Sequence, residues 1–95
     1  MNPRLPSLSA LRTFETAARH QSFKKAAEEL SVTPVAVTRQ VKALEQDLGL
    51  DLFTRMHRRV ILTEAGHELA VELTEAFRAM RGAVERTRER AGRRL

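Results

Sequence analysis

Val35, Arg39, Lys42 and Gln46 recur at i, i+4, i+7 and i+11, a spacing that stacks them on one helix face with Thr38 on its flank. Their chemistry suits a nucleic-acid groove. Arg and Gln read base edges, Lys pairs with phosphate, Thr bonds either, and Val meets a thymine methyl. A second basic group follows at Arg55, Arg58 and Arg59, around Met56 and His57. Arginines that close together suit phosphate oxygens or a minor groove. A merely solvated charged face is the ordinary alternative for both groups, and the segment around the first argues against it.

From Ala26 to Val41 the apolar spacing predicts two short helices joined by a tight turn, a device for laying one helix in a DNA groove. Ala26, Ala27 and Leu30 recur at helical spacing, and the small Ala27 lets a second backbone approach. Ser31 and Val32 end that helix, with Val32 expected to be buried in the corner. Thr33 and Pro34 restart the chain as a helix: the hydroxyl accepts from orphan amides of the first turn, and Pro is well tolerated at the first helical position. Val37, Val41, Leu44 and Leu48 then form the buried stripe of a helix over 34–48, closed by Gly49.

The neighbouring elements must hold this pair in place. Ser7 or Ser9 caps a first helix with Leu8, Leu11, Phe14, Ala17 and Ala18 inward; His20, Gln21 and Ser22 break it, and a second helix runs from Phe23 to Leu30. Phe23 is expected in the core rather than as a stacking platform. After Gly49, Leu50 to Arg55 and Val60 to Leu62 read as two strands of a hairpin wing with a basic tip. Thr63 caps a long helix, Glu64 favours its positive end, and Gly66 weakens it locally. Leu69, Leu73, Ala76, Met80, Ala83 and Thr87 alternate by four and three, widened by Ala70, Phe77 and Val84. Such a seam is too amphipathic to stand alone, so a second copy of the chain is the expected partner, with Leu69, Leu73, Ala76, Phe77, Met80 and Val84 at the interface. The alternative is packing wholly on its own domain.

Composition bounds the function. The 95 residues carry a net charge of +5, no cysteine and only four aromatics, all Phe. One small domain fits that length, acidic partners suit that charge, and disulfide or thiolate chemistry is excluded. Residues 1–62 hold 10 Lys and Arg against 6 Asp and Glu, whereas residues 63–95 hold 7 against 6, so the excess positive charge lies with the turn pair and wing. The expected division is a DNA-binding unit over 1–62, a dimerisation helix over 63–91 and a frayed tail over 92–95. No apolar run reaches membrane-spanning length and the N-terminus lacks a secretion signal, which predicts a soluble, cytoplasmic protein without membrane contact. His20, His57 and His67 are scattered, with neither a nucleophile and base nor metal-ligand spacing, so no enzyme, metal or cofactor is expected. A helical protein-interaction module without a specific DNA target is the alternative reading.

Leu11-Arg12-Thr13-Phe14, the run from Ser22 to Leu30, Val32-Thr33, Ala36 to Val41, Leu44-Glu45, Leu48-Gly49, Leu52-Phe53, Arg55 and Leu62 to Gly66 together resemble the N-terminal DNA-binding part of LysR-type transcriptional regulators. The resemblance covers residues 5 to about 85. Leu5-Pro6-Ser7-Leu8 with Ala17-Ala18-Arg19-His20 is most similar to the branch of glycine-cleavage and β-lactamase regulators. The resemblance implies a mainly helical, winged helix-turn-helix fold and a linker helix that dimerises antiparallel, setting two recognition helices over an interrupted inverted repeat of double-stranded operator DNA. Full-length relatives often form tetramers and carry a two-lobed effector domain; the 95 residues stop before it, so no small-molecule effector site is expected. Ser22, Thr33, Thr38 and Arg39 match positions used for phosphate or base contact, and Arg55, Arg58 and Arg59 match the wing. Pro34 and Val35 stand where Gln then Pro are common, which removes a base-reading amide; Lys24 replaces a common Thr and adds a phosphate contact.

Overall fold

Local capping chemistry sets almost every element boundary in the computed structural model, which describes residues 4–56 and 59–93. The order is α1 (Leu8–His20), α2 (Phe23–Leu30), α3 (Pro34–Leu48), β1 (Phe53–Met56), β2 (Arg59–Leu62) and α4 (Glu64–Arg93). The Ser7, Ser22 and Thr33 hydroxyls each accept from the amide three residues on, at 3.0 to 3.1 Å, satisfying donors that a helix start leaves orphaned. Ser7 is the α1 cap; Ser9 instead meets Gln40 of α3. Gln21 and Ser31 adopt left-handed geometry and close α1 and α2, and Gly49 at φ 80° closes α3.

The core lies where α1, α2 and α3 meet. Phe14, Ala17, Ala26, Ala27, Val37, Val41 and Leu44 are buried there, and the small alanines let the helix backbones approach. Phe53 carries this core into the wing, meeting Phe14 and Phe23 edge-to-face with ring centres at 5.5 and 5.2 Å. β1 and β2 pair antiparallel with Phe53 opposite Leu62 and Arg55 opposite Val60, so these four side chains share one face of the hairpin.

Some expectations need correction. Leu8 is 57% exposed and Val32 47% exposed, because both lie on the rim of a groove between the α1–α3 bundle and the C-terminal half of α4. Leu48 is exposed as well: Leu44 is the last core residue of α3, and the final turn projects past it. The wing strands are shorter than drawn, since Leu50 to Leu52 form a connection rather than strand. α4 continues through Gly92 to Arg93, beyond the expected end at Ala91. Among the described residues no helix is long and apolar enough to cross a membrane.

Candidate nucleic-acid interface

The exposed face of α3 follows from the buried one. Val37, Val41 and Leu44 point into the core, so Val35, Arg39, Lys42 and Gln46 project outward, with Val35 60% exposed. Arg39 and Lys42 have no ion-pair or hydrogen-bond partner among the described residues, whereas Arg19, Arg78, Arg88 and Arg93 each hold a carboxylate. The charges that face solvent on α3 are therefore available. Thr38 is half-buried and its hydroxyl donates to the Pro34 carbonyl at 3.1 Å, so its oxygen presents lone pairs outward as an acceptor. Pro34 is exposed at the first turn, beside Val35.

The wing and the start of α2 form a second basic surface. Ser22, Phe23, Lys24, Arg55 and Arg59 line a cleft of about 450 Å³ together with Val60. Arg55 stacks over the Phe23 ring at 5.5 Å, which ties a β1 cation to the α2 N-terminus. The Ser22 and Thr33 hydroxyls spend their oxygens on backbone amides, leaving their own hydrogens to donate outward, each at the positive end of a helix. In that cleft the cations, the Ser22 hydroxyl and the start of α2 together suit phosphate oxygens. Arg58 lies outside the described residues.

Glu45 holds these two surfaces in register. Its carboxylate on α3 accepts from the Leu52 amide at 2.7 Å and the Phe53 amide at 3.2 Å, binding the recognition-type helix to the root of the wing. Thr63 completes the joint: its hydroxyl donates to the Asp51 carbonyl at 2.8 Å and its amide to the Leu52 carbonyl at 3.0 Å. Gly66 lets the first turn of α4 lie directly on that carbonyl, which a Cβ would strike.

The family model described as bacterial regulatory helix-turn-helix protein, lysR family, matches residues 8–67. The chain belongs to this LysR family. Its relatives include the glycine cleavage system transcriptional activator of Escherichia coli K12, 46% identical over 98% of this chain and 30% of that protein. The activator AmpR of Pseudomonas aeruginosa is 49% identical over 90% of the chain and 29% of its own length. The chain thus spans under a third of the curated LysR relatives it matches. Among solved structures it is similar to the DNA-binding domain of BenM in complex with catB site 1 DNA, at a TM-score of 0.84 and 31% identity, covering 90% of this chain and 96% of that one. The CbnR DNA-binding domain in complex with DNA gives 0.78 and 32%, covering 90% and 99%. Winged helix-turn-helix architecture with a long C-terminal helix is common to these LysR domains.

Within this LysR fold the expected interface helix divides. Leu69, Leu73 and Phe77 are half-buried against the chain's own core, while Ala76, Met80 and Val84 are exposed. The sequence reading missed Glu45 as a joint and Gly66 as a close approach. An acidic residue at the border of a buried stripe, next to Leu44, was the available signal for the first.

Proposed function

We propose that this chain binds double-stranded operator DNA as a dimer, with α3 in the major groove and the α2 N-terminus and wing on the flanking backbone. The observation that carries the proposal is that Arg39 and Lys42 have no partner among the described residues and lie beside exposed Val35 on a capped, well-supported helix. Arg39 reads a base edge, Val35 packs on a thymine methyl, Thr38 accepts from an exocyclic amine, and Lys42 takes a phosphate. Ser22, Lys24, Thr33, Arg55 and Arg59 hold further phosphates, and Pro34 fixes the approach of the first turn.

The dimer accounts for apolar surface left uncovered in the single chain. Leu8, Val32, Phe77, Met80 and Val84 line one groove of about 1000 Å³ beside the C-terminal half of α4. Antiparallel α4 helices from two copies cover such a stripe reciprocally, as two-fold symmetry requires, and set two reading helices over an inverted repeat.

Selection of bound duplexes from a random library by the chain tests the reading. A two-armed inverted motif is expected, with log-log salt dependence that becomes shallower when Lys24 and Arg59 are both replaced by Ala. Recovery of unenriched sequence at low salt refutes specific readout.

A further inference from the structure

Thr74 behaves unlike three other helical threonines. Thr16, Thr38 and Thr87 each donate to the carbonyl four residues back on their own helix, at 2.9 to 3.1 Å. Thr74 instead reaches from α4 to α1, donating to Glu15 Oε2 at 3.0 Å. Glu15 is only 6% exposed, a carboxylate retained inside the bundle at the cost of desolvation. Arg19 balances it with Nε at 3.1 Å and Nη2 at 3.3 Å, and the same guanidinium holds Glu29 of α2 at 2.8 and 3.0 Å. His20 closes the set against Glu29 at 2.7 Å. One polar chain therefore links α4, α1 and α2.

Leu69, Ala70, Leu73 and Phe77 of α4 meet the core through apolar contacts. Apolar burial is non-directional and tolerates small rotations; a hydrogen bond to a fixed acceptor does not. From Thr74 to the end of α4 the helix runs roughly 28 Å, so a tilt of about 10° at Thr74 moves its end by about 5 Å. That shift exceeds the rise of one base pair.

We propose that the Thr74 hydroxyl on Glu15, backed by Arg19 and Glu29, fixes the angle of α4 to the reading head and thereby the distance between half-sites that the dimer accepts. The inference rests on the dimer reading above and goes beyond it by naming the positioning residues. Thr74 touches no base or phosphate; its role is exerted through α4.

Thr74→Val removes the hydroxyl at nearly constant shape, and Thr74→Ser restores it. The 95-residue chain is titrated onto duplexes bearing one library-selected arm, and onto two-armed duplexes whose spacer varies in single base pairs. Thr74→Val is expected to keep single-arm affinity within about twofold, while its discrimination between the best spacer and its neighbours falls by about fivefold, the scale of one hydrogen bond. Thr74→Ser recovers the parent's discrimination. Undiminished discrimination in Thr74→Val overturns the proposal, as does an equal loss on the single arm or failure of that variant to fold, since a positioning hydroxyl on a half-buried residue is dispensable to folding. A parent chain indifferent to spacing refutes the dimer reading and this inference together; a parent with a sharp preference that Thr74→Val retains refutes this inference alone.

Discussion

Gly66→Ala should destabilise the fold, although it sits inside a helix where the same exchange ordinarily adds about 1 kcal/mol. Its backbone has no positive φ to oppose a side chain, so propensity alone predicts a gain. The obstacle is tertiary. A Cβ at position 66 runs into the carbonyl oxygen of Leu52 and comes within 3.1 Å of the Leu62 side chain. The Leu52 peptide cannot swing aside freely, because its carbonyl accepts from Thr63, its amide is held by Glu45, and its side chain is fully buried. Overpacking of this kind costs about 1–3 kcal/mol, and breaking the Thr63 bond adds roughly 1 kcal/mol. After the propensity gain the expected net loss is about 1–3 kcal/mol, a fall in Tm on the order of 5–20 °C for a domain of this size. Thermal unfolding followed by far-ultraviolet circular dichroism measures it directly. A Tm equal to or above the parent's refutes the argument, since it would mean that α4 does not rest on the root of the wing.

Arg39→Ala is expected to cost about 1–3 kcal/mol on the selected duplex and to relax preference at one step, whereas equal losses on random DNA would assign Arg39 to phosphate. Met80→Asp with Val84→Asp changes exposed positions only, so the fold should persist while sedimentation shifts from dimer to monomer; an unchanged dimer removes α4 from the interface. The Arg19 guanidinium, then His20, holds the Glu29 carboxyl down from 4.5 to about 2. A depressed carboxyl contributes stability that is present above its ordinary range and lost as pH falls through its folded value. The parent should therefore lose more Tm than Glu29→Gln between about pH 4.5 and 2, measured at low salt because the pair is partly solvated, and parallel acid limbs would show that the network carries no weight.

Helix starts and stops were legible because the residues that make them act within one turn. Ser22, Thr33-Pro34 and Gly49 each satisfy or spare backbone groups of their immediate neighbours, and each falls at its expected boundary. The outward face of α3 was legible for a related reason: once Val37, Val41 and Leu44 are inward, Arg39 and Lys42 have one direction left. Contacts between elements leave no such trace. Glu15 and Thr74 lie 59 residues apart, and no periodicity relates a carboxylate on one helix to a hydroxyl on another. Gly66 looked like a local weakness because sequence records the missing Cβ but not the carbonyl above it. Arg55 was read as the end of the first wing strand, and alternation from Phe53 puts it on the Phe53 face of the hairpin, where it meets Phe23; that cross-element contact left no trace in the sequence.

Leu8 and Val32 are a different kind of miss. Helical periodicity marked Leu8, and the corner of the turn marked Val32, as apolar side chains that need cover, but the bundle of a single copy does not supply it. These residues face the same groove as Met80 and Val84, which the seam on α4 assigned to a second chain. In the proposed dimer the two sets are one surface, and a partner's α4 would bury what the bundle leaves open. A hydrophobic pattern reports the cover present in the working assembly, whichever chain supplies it, so exposure of Leu8 and Val32 in a single copy argues for the dimer as much as the heptad spacing does. The aspartates at Met80 and Val84 therefore probe Leu8 and Val32 too: if the chain stays dimeric, that shared surface needs another occupant.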